Sequence, residues 1–237
     1  FISGLFARSL FARSRDRLIF VLGLCSAGYM LLFFGYIENY ALFCLSIFLF
    51  VVVGVRAVRE RISGWFILIP LALVIFFHVV GLVLVPAAFY VLVTRTGPGR
   101  GLLAIGRWPI WTLAVLLGAA GATLFAYLYS TSYYFRFAFV PIAADRFTVH
   151  GYTLFSLPHL IDYVNLLGLL LPALLLLTVL LVQSGSAALR RAPEYRFLLW
   201  LLAAALAGAF VLDPKFGMAR DWDLFSFPGV ILAVLFY

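Results

Sequence analysis

The segment Asp213-Pro214-Lys215-Phe216-Gly217-Met218-Ala219-Arg220-Asp221-Trp222-Asp223-Leu224-Phe225 sets cations and carboxylates side by side within a few residues. Lys215 and Arg220 suit phosphate oxygens, lysine as a point charge and arginine through a planar fork of donors. Asp221 and Asp223 suit a divalent metal or sugar hydroxyls, and Asp223 also stands where a helix N-cap would fall. Gly217 permits close backbone approach, and Trp222 offers a flat apolar face. Solvating a loop does not require this mixture, so a binding role is expected for it.

A second group lies in the turn Gly35-Tyr36-Ile37-Glu38-Asn39-Tyr40, where a carboxylate and an amide sit between tyrosines. Glu38 would be poorly solvated there, which makes it a catalytic candidate. Asn39 and Tyr40 are its substrate-binding neighbours. The structural alternative is an interfacial turn anchored by tyrosine rings. His78 lies deep in an apolar run, where a neutral, hydrogen-bonded imidazole is expected, either structural or lining one cavity with Glu38. His159 and Asp162 are three apart and therefore on neighbouring helix faces, the geometry of a proton relay, a metal pair or an ordinary polar helix start. Between them in the chain, residues 130–158 carry Tyr133, Tyr134, Arg136, Asp145, Arg146 and His150 without a readable pattern.

Apolar helices have to position these groups. The chain of 237 residues is 66% hydrophobic and 11% charged, whereas a soluble domain carries about 25% charged residues. Its mean hydropathy is +1.15. Apolar spans run over 18–35, 41–55, 65–93, 108–129, 160–182, 197–212 and from Phe225 onward, several close to the roughly 20 residues that cross a bilayer. The expected fold is all-α, a polytopic transmembrane bundle of about seven to eight membrane segments. It forms one transmembrane domain over 1–237. Because the chain starts at Phe1 and stops at Tyr237 inside an apolar run, it reads as a fragment truncated at both ends, with no processed leader.

The basic segments 8–17, 56–61, 95–107 and 190–196 should all be cytoplasmic. The run 65–93 is flanked by two of them and must then cross an even number of times. As one helix, at about 1.5 Å per residue, it would reach about 43 Å. A short hairpin bending near His78 to Gly81 is therefore expected. Glu38, Asp145, Asp162, Asp213, Asp221 and Asp223 then share the outer face. The echo of Leu154-Phe155-Ser156-Leu157-Pro158 in Leu224-Phe225-Ser226-Phe227-Pro228 reads as serine capping with proline in the first turn. Cys25 and Cys44 lie in apolar spans without a CxxC or His/Cys cluster and read as buried free thiols. The formal net charge of +8 sits in short loops rather than a continuous stripe, so nucleic acid is excluded as a partner.

The Phe34-Gly35-Tyr36-Ile37-Glu38-Asn39-Tyr40 turn, the His78 hairpin and the Arg220-Asp221-Trp222-Asp223 loop resemble bacterial membrane proteins of the GT-C glycosyltransferase superfamily. The likeness covers most of the chain. It implies a mannosyltransferase-like transferase of the cell envelope, in the bacterial inner membrane with its active face extracytoplasmic. Such an enzyme moves a sugar from a polyprenyl-phosphate carrier to an acceptor, so a polyprenyl-phosphate-linked sugar and membrane lipid are the implied partners. Members place a key acid in the first outer loop after their first transmembrane helix. No such segment is present here, and the main base is expected in a missing N-terminal portion. The remaining catalytic candidates are Glu38, Asp221 and Asp223. The substrate-binding candidates are Asn39, Tyr40, His78, His159, Asp162, Lys215, Arg220 and Trp222. No cofactor is required by the pattern, and Mg or Mn at Asp221 and Asp223 is optional. Two other readings compete. A transporter or flippase would line a path through the membrane with its charges, and a non-catalytic membrane subunit would use the mixed-charge loop for docking.

Overall fold

The computed structural model describes residues 2–34, 39–95, 107–144, 151–172, 179, 192–215, 217–218 and 221–236. The described chain is helical: α1 (Ile2–Leu10), α2 (Ser14–Ser26), α3 (Tyr40–Val58), α4 (Leu68–Phe77), α5 (Val85–Arg95), α6 (Arg107–Thr131), α7 (Tyr133–Phe137), α8 (Leu157–Leu170), α9 (Pro193–Val211) and α10 (Phe227–Phe236). Among the described residues the β pairing is a single bridge between Phe139 and Leu212. The all-α class is as expected. Among the described residues two helices, α3 and α9, are long and apolar enough to cross a membrane.

Helix α3 is the centre of the core. Phe43, Ile47, Phe50 and Gly54 recur at helical spacing and are buried, together with Val51, Val55 and Val58, as the period of an inward face requires. A side chain at Gly54 would meet the Phe197 ring at 2.2 Å, so its absence lets the start of α9 approach α3.

The run 65–93 breaks into two arms. Helix α4 ends at Phe77, and His78 takes an extended conformation (φ −157, ψ 131). A tight turn over Val79–Leu84 follows, and α5 returns to pack against Gly64–Ile67. Gly81 is where the arms touch: a Cβ there would lie 2.5 Å from Val74 Cγ1 and 2.9 Å from the Val74 carbonyl carbon.

One end of the bundle is held by arginines. Arg59 donates to Glu194 Oε1 at 2.8 and 3.1 Å and to the Ser9 carbonyl at 3.3 Å. Arg17 donates to the carbonyls of Phe11 and Ala12, closing α1 at 2.8 and 2.9 Å. Three of the basic segments therefore meet at this end. The fourth, 95–107, lies largely outside the described residues.

Helix α8 crosses the opposite end. Its Tyr163 hydroxyl donates to the Leu206 carbonyl of α9 at 2.9 Å, while Leu170 packs against Tyr29 and Gly229. The serine-capping expectation is corrected here. Ser156 does stand at the N-cap of α8, with proline in the first turn, but its side chain caps nothing. Its hydroxyl instead donates to the Thr153 carbonyl at 2.8 Å and accepts from the Thr153 N–H at 3.0 Å. Ser226 likewise turns back to the Asp223 carbonyl at 2.6 Å. Cys44 is buried, whereas Cys25 is exposed, another departure from the sequence reading.

Candidate functional site

At the end of the bundle away from the arginines, α8 presents its polar residues on two faces. His159 points inward and is fully buried, against Phe210 at 4.8 Å and Tyr152 at 5.3 Å between ring centroids. Its Nδ1 lies 2.7 Å from the Leu154 carbonyl. A carbonyl can only accept, so Nδ1 carries a proton and donates it to that bond. Nε2 has no hydrogen-bond partner among the described residues.

Asp162 faces the 213–223 loop. Tyr152 donates to its Oδ2 at 3.2 Å, and a methyl group added at Gly217 would come within 3.7 Å of the same oxygen. Gly217 has φ +84, the left-handed conformation that favours glycine, and this lets the loop turn beside the carboxylate. The Tyr152 phenol is pushed well above its ordinary range, first by burial, then by the Asp162 carboxylate and, less strongly, by Asp213.

The loop is tied down by contacts that span the chain. Lys215 donates to Asp213 Oδ2 at 2.6 Å and to the Phe137 carbonyl, and its ammonium sits 3.4 Å from the centre of the Phe137 ring. Met218 is fully buried beneath. The Asp221 N–H donates to the Gly217 carbonyl at 3.1 Å. The Asp223 carboxylate accepts from the Leu224 N–H at 2.8 Å, so capping is the role its geometry gives. Asp221 and Trp222 are half-buried in the same turn. Arg220 lies outside the described residues. Among the described residues, no three His, Cys, Asp or Glu side chains converge to hold a metal ion.

The segment leading into α3 arrives at the same end. Asn39 Nδ2 donates to the Phe77 carbonyl at 2.9 Å, closing the last turn of α4. The rings of Tyr40 and Phe43 flank His78 at 5.9 and 5.4 Å, and His78 Nδ1 accepts from the Val80 N–H at 3.2 Å. Phe43 in turn meets Phe227, 6.2 Å between ring centroids, and Cys44 Sγ lies 3.3 Å from Ser226 Oγ. Through Phe43 this group adjoins the start of α10, which follows the 3-10 turn Leu224–Ser226 that Asp223 caps. Glu38 lies outside the described residues.

Sequence reasoning missed Tyr152 and Tyr163. Tyr152 reaches Asp162 across a turn, a separation with no helical or strand period to betray it. It also missed two hollows. A cleft of ≈ 250 Å³ is lined by Tyr129, Tyr133, Arg136, Phe137, Phe139 and Asp213, among others. An apolar groove of ≈ 320 Å³ lies between α2 and α3, walled by Leu24, Cys25, Tyr29, Met30, Cys44 and Phe48.

Fold and site together define a helical protein that has, among the described residues, two helices long and apolar enough to cross a membrane, and acidic and aromatic residues gathered opposite an arginine-rich end. No family model matches the sequence, and neither curated proteins nor solved structures give a match.

Proposed function

We propose that the chain is the membrane-embedded part of a GT-C-type glycosyltransferase, which moves a sugar from a polyprenyl-phosphate donor to an extracytoplasmic acceptor. A membrane setting is supported by the outward faces of its helices: Phe76 is 80%, Ile69 60% and Leu22 58% exposed, too much large apolar surface for contact with water. On this reading α2, α3, the α4–α5 pair, α6, α9 and the apolar run from Phe225 lie in the membrane, α8 lies across the outer end, and the arginine end faces the cytoplasm.

The observation that carries the proposal is the meeting of Asp162 with the 213–223 loop at the end opposite the arginines. Here Asp162 takes the part of the carboxylate that accepts the proton of the acceptor hydroxyl. The hydroxyl oxygen attacks the anomeric carbon, the bond from that carbon to the phosphate oxygen breaks, and the lipid phosphate leaves with the electron pair. Arg220 is the cation assigned to that departing phosphate, since Lys215 is already paired with Asp213. The apolar groove beside Tyr29 suits the first isoprene units of the donor. This grouping of polar residues at one end, with no charged path down the bundle axis among the described residues, favours surface chemistry over transport.

Transfer from a labelled polyprenyl-phosphate sugar, measured with the full-length protein in membranes, tests the assignment. Asp162→Asn should lower the rate by about 100-fold or more, the usual scale for losing a proton acceptor. Asp223→Asn should leave transfer near wild type, because asparagine caps as well as aspartate. Full activity of Asp162→Asn at equal expression would remove the proposed site.

A further inference from the structure

The cleft at the far end of α6 combines features that neither the core nor the proton-accepting carboxylate requires. Tyr133 and Phe137 stand nearly parallel, with an interplanar angle of 21° and ring centroids 5.6 Å apart. Phe139 and Tyr129 line it as well, 6.4 Å apart. Its charged residues are Arg136, whose guanidinium is a fork of donors, and Asp213, whose carboxylate is an acceptor. The walls are also held in place. The Val140 N–H donates to the Val211 carbonyl at 2.9 Å and the Asp213 N–H to the Ala138 carbonyl at 3.0 Å, fixing the aromatic segment to the end of α9. Lys215 pins Phe137 from above. A site whose walls are held before binding loses little freedom when it is filled.

We propose that this cleft is a carbohydrate site that holds one pyranose ring, and that the acceptor of the transfer reaction is accordingly a saccharide. The second half of the proposal rests on the glycosyltransferase reading; the first does not. A pyranose has a C–H face and a rim of hydroxyls that both donate and accept. The half-exposed ring of Tyr133 supplies the flat apolar wall for that face, and Arg136 and Asp213 supply complementary partners for the rim. Net charge argues against a phosphate as the occupant: Lys215 neutralises Asp213 at 2.6 Å, leaving one guanidinium for an anion that typically draws several cations. Size argues against an oligosaccharide lying wholly inside, since ≈ 250 Å³ falls below the roughly 300–1,000 Å³ of pockets that engulf a drug-sized molecule. The cleft also adjoins the carboxylate. The Leu154 N–H donates to the Pro141 carbonyl at 2.9 Å, which joins the cleft rim to the segment that carries Tyr152.

The test is saturation-transfer NMR on the full-length protein in lipid nanodiscs, with no donor present. The probes are the methyl pyranosides of glucose, galactose, mannose and N-acetylglucosamine, with inorganic phosphate and phosphocholine as competitors. At least one glycoside should bind. Tyr133→Ala and Arg136→Ala should each weaken it about tenfold or more, the effect of about 1.4 kcal/mol. Both residues are exposed, so these truncations leave the core intact. Tyr134→Ala, at a ring that is 85% exposed and outside the cleft, should bind as wild type does. The proposal is overturned if no glycoside binds, if Tyr133→Ala and Arg136→Ala bind as tightly as wild type, or if phosphate or phosphocholine displaces the sugar. Asp162→Asn should lose transfer and keep binding. Binding without any wild-type transfer would sink the enzyme reading alone, and transfer without binding would sink the carbohydrate cleft alone.

Discussion

At the scale of single residues, the Tyr152–Asp162 pair makes the sharpest prediction. The phenol donates to the carboxylate at 3.2 Å and is raised by burial and by the neighbouring negative charges. Its folded value lies above the unfolded one, so the stabilisation is fully present below the ordinary tyrosine range near about 10 and is lost as pH rises beyond it. A phenolate absorbance titration of wild type minus Tyr152→Phe should therefore show one tyrosine ionising late. Asp162→Asn should bring that ionisation to lower pH without restoring it fully, because burial remains. A difference curve centred in the ordinary range would refute the pairing. Some residue roles were legible in the sequence: Asp223 stood where a cap belongs, and it caps. The partners of Lys215 were not, because a carbonyl and a ring contributed from Phe137 by a distant part of the chain leave no local trace.

At the scale of elements, the reversal between α4 and α5 could be read in advance, because flanking arginines on a run too long for one crossing demanded it. What the sequence did not show is how tightly it closes. A methyl at Gly81 would press on the carbonyl carbon of Val74 and the nitrogen of Ile75 at 2.9 and 3.0 Å. These are backbone atoms that cannot rotate away, so the arms must separate. Gly81→Ala should cost about 1–3 kcal/mol, as overpacking does, and lower the midpoint of thermal unfolding in detergent. Gly118→Ala on α6, with nothing within 4 Å of the added carbon, should be neutral or gain up to about 1 kcal/mol from helix propensity. Equal midpoints for Gly81→Ala and wild type would mean that the bend is looser than described. The course of α8 was illegible for a different reason. Its apolar pattern continues into 171–182, and only its contacts with Leu206, Tyr29 and Gly229 reveal that it crosses the bundle end.

At the scale of the whole molecule, the separation of charge is the property on which the other readings depend. Arg17 and Arg59 close one end, where Ser9 and Glu194 also lie, while Asp162, Asp213 and Asp223 gather at the other. Holding arginines on one side of a bilayer follows from the cost of carrying them across, whereas acids bear little on orientation. On the proposed membrane reading, the acidic end is placed by the arginines opposite it and not by its own charge. In a Cys25→Ser background, Ser14→Cys at the arginine end and Ala143→Cys at the acidic end are both exposed positions. A membrane-impermeant maleimide added to intact cells should label Ala143→Cys alone, and Ser14→Cys should react only after the membrane is opened. Labelling of both from outside would show that the two ends share one face of the bilayer. The even crossing of 65–93 would then fail to keep them apart, and with it the premise that Asp162 and the loop beside it meet an extracytoplasmic acceptor.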